Sequence, residues 1–216
     1  MSRTEFSKTT GETVWFNETE DRDAAQVLSN ESDILLRRIR RQSADGDPSA
    51  SITMLVACER VVHDSLNRLA HEFELTECLD PDWALRPLEL LQDHGQTFLV
   101  FEDPGGELLS RLLDAPLGIE TFLRLAIDVT AAVGKMHRRG LVHKDIKPAN
   151  ILMNNRDGAT RLTGFGIASR IPRERQAPGP PEFIAGTLAY MAPEQTGRMN
   201  RSVDSRSDLY ALGVTL

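Results

Sequence analysis

The residues His143-Lys144-Asp145-Ile146-Lys147-Pro148-Ala149-Asn150 set a carboxylate, ammonium groups and an amide at short, fixed spacing. Phosphoryl transfer asks a protein mainly for position and charge: a carboxylate to accept the hydroxyl proton, cations for the phosphates, and oxygen ligands for a metal. A single Asp or Asn carries no such message. The pattern His-x-Asp-x-Lys-Pro-x-Asn does, because it falls between an apolar helix and the apolar run Ile151-Leu152-Met153.

Those residues need elements to hold them. Glu120 to Arg139 places Phe122, Leu125, Val129, Val133 and Met136 on one face at helical spacing, which predicts a helix with a core stripe. Arg138, Arg139 and Gly140 supply the cations and the glycine that suit a helix C-terminus, and the chemistry-bearing stretch follows at once. Upstream, Ile34–Ile39 and Ile52–Cys58 read as a strand pair around the turn signal Asp45-Gly46-Asp47-Pro48. A helical pattern through Leu66, Leu69, Phe73 and Cys78, capped by Asp64 or Ser65, comes next. Two further apolar runs, Leu88–Leu91 and Thr97–Phe101, are broken at Asp93-His94-Gly95. The expected organisation is a weakly structured extension over residues 1–33, a small, mostly β lobe over 34–103, and a mainly helical lobe over 104–216 after Pro104-Gly105-Gly106.

Composition sets the outer bounds. With 216 residues, 40% hydrophobic and 26% charged, the chain has enough apolar content for a core of ordinary size. A formal net charge of −7 argues against nonspecific nucleic-acid binding over the whole surface, and the run Arg37, Arg38, Arg40 and Arg41 reads as a solvated face. Cys58 and Cys78 are too few for a disulfide framework and lack metal-ligand spacing, so reduced thiols and a cytoplasmic compartment are expected. No stretch has the length and apolarity of a signal peptide or membrane span.

The stretch from His143 to Asn150 resembles the catalytic loop of the Ser/Thr protein kinases. Gly186-Thr187-Leu188-Ala189-Tyr190-Met191-Ala192-Pro193-Glu194 resembles that family's substrate-facing loop and Ala-Pro-Glu motif, and the likeness runs from about Ile34 to Leu216. The resemblance implies an α+β, two-lobed fold with ATP as phosphate donor, magnesium as metal and a protein hydroxyl as acceptor. It makes Asp145 the base, Lys147 the cation that steadies the transferred phosphoryl, Asn150 a metal ligand, and Thr187 the hydroxyl bridging Lys147 and Asp145. Asp208 would brace the catalytic loop from the start of a large central helix. Ala57 and Leu152 would sandwich the adenine, and Glu107 would take a ribose hydroxyl. The segment between Gly166 and Gly186 reads as an activation loop.

The departures fall where nucleotide would bind. Gly164 stands in Thr163-Gly164-Phe165-Gly166 where the family carries the magnesium-holding Asp. Before Val56 the only glycines are Gly11 and Gly46, so there is no glycine-rich phosphate-covering run. Val56-Ala57-Cys58-Glu59 sets a carboxylate where the family has its strand lysine, facing a helix glutamate read as Glu72, and no lysine lies between Lys8 and Lys135. Pro104 lacks an N–H close to where adenine would seek a donor. Lys144 replaces an arginine, keeping the charge and losing the fork.

Two readings follow: a Ser/Thr kinase-like signalling domain that transfers phosphate, or a pseudokinase acting as a regulatory or docking module for a protein partner. The wording from Leu162 to Ser169 and from Glu194 to Arg201 is also similar to a bacterial group in which a kinase-like domain opens a long chain with an ATPase module, a sensor domain and a histidine kinase. On that resemblance the sequence is expected to be a truncated piece ending inside the central helix, with Glu194 lacking its usual arginine partner.

Overall fold

The computed structural model describes residues 4–7, 13–16, 26–30, 34–41, 52–59, 68–93, 96–113, 115–154, 159–170, 185–199 and 201–216. The chain divides into two compact units, residues 1–73 with 87–104, and residues 74–86 with 105–216.

In the first unit, β1 (Thr4–Ser7) and β2 (Thr13–Phe16) form an antiparallel pair. A separate five-stranded antiparallel sheet holds β3 (Gln26–Ser29), β4 (Ile34–Arg41), β5 (Ile52–Glu59), β6 (Pro87–Asp93) and β7 (Gln96–Glu102) in the order β3-β4-β5-β7-β6. The two strand pairs read from the sequence are present as β4 with β5 and β6 with β7. Phe98, Leu99, Val100 and Phe101 are all buried, so both faces of β7 are covered, and this is why its run is continuous rather than alternating. The extension expected over 1–33 gives up β3 to the sheet, with Leu28 buried. Asp45 to Pro48 lies outside the described residues, as do Asp64 and Ser65.

Helix α1 (Arg68–Glu74) ends before Cys78 and is followed by a 3-10 turn, Thr76–Cys78, while Leu66 lies outside the described residues. Leu69 and Glu72 are buried, whereas Phe73, which shares the helical pattern with Leu69, is 36% exposed. Arg38 on β4 donates Nε and Nη2 to the two oxygens of Asp103 at 2.6 and 3.2 Å, so one arginine of the basic run is tied to a carboxylate rather than solvated.

In the second unit, β8 (Glu107–Leu108) leads into α2 (Leu109–Leu112), followed by the long helix α3 (Ile119–Arg138) and β9 (Leu141–Val142). The strands β10 (Ile151–Met153), β11 (Thr160–Leu162) and β12 (Ser169–Arg170) come next, and helix α4 (Ser205–Thr215) is capped at Asp204, whose carboxylate accepts the Arg206 N–H. β8, β10 and β11 form one antiparallel sheet; β9 pairs with β12. Ahead of β8, Gly106 has φ +89°, and a Cβ there would lie 2.0 Å from the Met153 carbonyl oxygen, so only glycine lets this backbone approach β10.

Leu125, Val129, Ala132, Val133 and Met136 of α3 pack with Leu141, Ile146, Ile151, Leu162 and Phe165 in one core. Each large apolar side chain so buried contributes roughly 1.5–3 kcal/mol. Residues 74–86 join this unit because the Leu162 N–H donates to the Trp83 carbonyl and the Leu85 N–H to the Leu162 carbonyl, both at 2.8 Å. Among the described residues no helix is long and apolar enough to cross a membrane.

Candidate functional site

The catalytic-type loop lies between β9 and β10, in the second unit. Helix α3 delivers the chain to it, with Lys135, His137 and Arg138 in the last turn. Pro148–Asn150 forms a 3-10 turn ahead of β10.

Four predicted residues come together here. The Asp145 carboxylate accepts the Thr187 N–H on Oδ1 at 2.8 Å and Asn150 Nδ2 on Oδ2 at 2.9 Å. Lys147 Nζ lies 3.1 Å from Asp145 Oδ2 and donates to Thr187 Oγ1 at 2.6 Å. The Lys147 side chain is 7% exposed and that of Asp145 16%, so the ion pair is screened little by solvent. Asn150 Nδ2 also donates to the Asp145 carbonyl at 2.8 Å, which leaves its Oδ1 turned toward Gly164.

Asp208, fully buried in α4, holds the loop from behind. Its Oδ1 accepts the Lys144 N–H at 2.8 Å; its Oδ2 accepts the His143 N–H and lies against His137 Nε2, both at 2.9 Å. His143 is fully buried too. Its Nε2 donates to the Thr163 carbonyl at 3.0 Å and its Nδ1 accepts the Asp145 N–H at 3.3 Å, the pattern of a neutral ring. Burial pushes its pKa below the ordinary histidine value, against the pull of Asp208 and Asp145. Burial likewise lowers Lys144, with Asp208 opposing. The His143 ring stands 4.6 Å from that of Phe165, which meets Trp83 edge-on at 6.2 Å.

Gly164 adopts φ +79°, ψ +46°, and a Cβ there would meet Asn150 Oδ1 at 2.9 Å. The residues therefore offer a divalent cation one neutral oxygen, that of Asn150. Among the described residues no group of three or more His, Cys, Asp or Glu side chains is placed to hold a metal. Magnesium usually keeps several waters and takes one or two carboxylates together with substrate phosphates, and with glycine at 164 the neutral Asn150 oxygen is a weak share of such a set.

The remaining predicted residues are placed as follows. Leu152 is buried on β10, its Cα paired with Leu108. Glu107 on β8 lies beside it in the same sheet, with Oε2 3.6 Å from Arg111 Nη1. Ala57 is on β5 in the first unit, between Leu36 and Leu99. The link between β3 and β4, residues 30–33, reads Asn-Glu-Ser-Asp, without glycine and with two carboxylates.

Three contributors escaped sequence reasoning. His137 stands in the last turn of α3 against Asp208, and helical spacing alone does not single it out. Gln195 donates Nε2 to the Lys144 carbonyl at 2.7 Å, and Ser207 Oγ donates to buried Glu194 Oε1 at 2.7 Å, giving that carboxylate a neutral donor where an arginine was expected to be missing. Composition and spacing carry no signal for either.

Comparison with known proteins follows this geometry. The family model for the protein kinase domain matches residues 49–216. Among curated proteins, the chain is similar to serine/threonine-protein kinase Pkn1 of Myxococcus xanthus, 38% identical over 54% of this chain and 17% of that one. It is also similar to PknA of Corynebacterium glutamicum, 32% identical over 69% of this chain and 32% of that one. The DNA damage-responsive kinase RqkA of Deinococcus radiodurans is 39% identical over 50% of this chain and 16% of that one. The chain spans less than a third of the length of each.

Proposed function

This chain belongs to the protein kinase domain family, and from that premise we propose that it transfers the γ-phosphoryl group of ATP to a serine or threonine hydroxyl of a protein. The observation that carries the reading is the network of Asp145, Lys147, Thr187 and Asn150, joined by contacts of 2.6–3.1 Å. The acceptor oxygen attacks the γ-phosphorus, the bond to the β,γ-bridging oxygen breaks, ADP leaves, and the hydroxyl proton passes to Asp145. Lys147 lies beside that carboxylate as the cation next to the transferred group, and Thr187 fixes its ammonium. ATP and magnesium are used generally in the family; here no step is assigned to a metal held by the protein.

Glu107, paired with Met153 across β8 and β10, and Leu152, paired with Leu108, are our proposal for the ribose and base contacts. We also assign the chain to a longer cytoplasmic signalling protein with sensor, ATPase and histidine-kinase parts, on the wording around Gly164 and Glu194. The acidic net charge favours protein over nucleic-acid partners.

The competing reading, a docking module without transfer, draws on Gly164 and Glu59. The relatives named above are all kinases by name, which favours transfer. The test is phosphate incorporation from labelled ATP into a mixed protein substrate, with Asp145→Asn beside the parent. Transfer lost in the variant supports the reading. Equal transfer in both removes Asp145 as base, and no transfer together with no ATP-dependent rise in melting temperature leaves the docking module.

A further inference from the structure

We propose that Gln195 is a positioning residue for this transfer: it clamps Lys144 in a left-handed backbone conformation and thereby aims Asp145. The role rests on the reading given under Proposed function.

Among the described residues, Lys144 is the single non-glycine residue with positive φ, at +70°. Lysine has no short polar side chain to offset that conformation, so the surroundings must impose it. They do so from both sides of the residue. The Lys144 N–H donates to Asp208 Oδ1 at 2.8 Å, and the Lys144 carbonyl accepts Gln195 Nε2 at 2.7 Å. A rotation at Lys144 would swing that carbonyl and re-aim the Asp145 side chain that follows it.

The Gln195 amide is itself fixed. It is buried, and its Oε1 accepts the Ala192 N–H at 3.1 Å, so oxygen faces a donor and nitrogen faces a carbonyl. Glutamate could keep the Ala192 bond but would set a carboxylate against the Lys144 carbonyl. The same carbonyl also bounds the substrate-facing loop, because a Cβ on Gly186 would lie 3.0 Å from it. The next residue, Thr187, gives its N–H to Asp145 Oδ1. One side chain thus ties the turn Pro193–Thr196 to the carbonyl on which the loop and the base both depend.

A double-mutant cycle tests this in the 216-residue chain: parent, Gln195→Ala, Lys144→Gly and the double variant, each measured for kcat, KM and melting temperature. Glycine adopts the left-handed conformation freely, so a clamp loses its purpose once Lys144 is gone. Gln195→Ala should lower kcat about tenfold in the parent, the equivalent of one lost buried hydrogen bond, with both KM values little changed. In the Lys144→Gly background the same substitution should cost less than about threefold. Equal losses in the two backgrounds overturn the proposal. If Gln195→Ala fails to fold, Gln195→Glu takes its place in the cycle. If the parent shows no transfer at all, the functional reading fails, and coupling or additivity of the melting temperatures still decides whether the clamp exists.

Discussion

Replacing Asp208 by Asn should loosen the catalytic loop by an amount that the structure sets. The carboxylate is fully buried; it takes the Lys144 N–H on one oxygen, and the His143 N–H and His137 Nε2 on the other. Asparagine keeps one oxygen. With that oxygen toward His143 and His137, its NH₂ confronts the Lys144 N–H and leaves a buried donor unpaired, at about 1–3 kcal/mol. Two surviving bonds also drop from charged to neutral acceptors, at roughly 1 kcal/mol each. The opposite rotamer leaves the His143 N–H unpaired instead, while its NH₂ can donate to His137 Nε2 in the other ring tautomer, so the loss is of the same order. The expected loss is about 3–5 kcal/mol, which for a chain of this size lowers the melting temperature by roughly 6–20 °C. Scanning calorimetry of parent and variant reads the shift directly. A change below about 2 °C would mean that Asp208 does not hold the loop and would refute the argument.

Three further outcomes follow from single contacts. His143 has its folded pKa lowered by burial, so below about pH 6.5 the unfolded chain takes up a proton that the folded chain refuses; stability is full above that pH and falls on acidification. Melting temperatures from about pH 7.5 to about pH 5 should show this slope, and His143→Leu should flatten it; identical slopes would contradict it. Gly164→Ala places a Cβ 2.9 Å from Asn150 Oδ1 at φ +79° and should cost about 1–3 kcal/mol in urea unfolding, with an unchanged midpoint as the contrary result. Ser207→Ala removes the hydroxyl that donates to buried Glu194 and should cost about 1–3 kcal/mol, seen as a lower denaturation midpoint; no change would mean that this oxygen finds another donor.

What could be read in the sequence is what local spacing encodes. The loop from His143 to Asn150 has its donors and acceptors within eight residues, so Asp145, Asn150 and Lys147 stand out by spacing, while their expected roles come from the kinase resemblance. The α3 stripe is legible for the same reason, since a 3.6-residue period fixes which side chains share a face. β3 was not legible: four residues with one buried leucine carry too little alternation to stand out from an extension. The membership of residues 74–86 in the second unit was also hidden, because it depends on pairing between Trp83–Leu85 and Leu162, nearly eighty positions apart. Gln195 and Ser207 act through single bonds to residues 51 and 13 positions away, and nothing in their own neighbourhoods marks them.

The geometry also limits how an acceptor can approach. An ionised carboxylate has about four acceptor sites. In Asp145, the Thr187 N–H takes one on Oδ1 and Asn150 Nδ2 one on Oδ2, beside which Lys147 Nζ stands 3.1 Å away as an ion pair. On the proposed function, an acceptor hydroxyl would take the second position on Oδ1, the oxygen that also accepts the Thr187 N–H. A hydroxyl that meets Asp145 there lies beside Thr187, whose backbone holds the base and whose side chain holds Lys147. On the proposed function, the acid–base half of the transfer would be assembled from residues of one unit. On the kinase resemblance, the departures Gly164, Glu59 and the lack of a glycine-rich run before Val56 concern the other half, the grip on phosphate. A transfer slow in kcat yet strictly dependent on Asp145 is the kinetic form such a division would take.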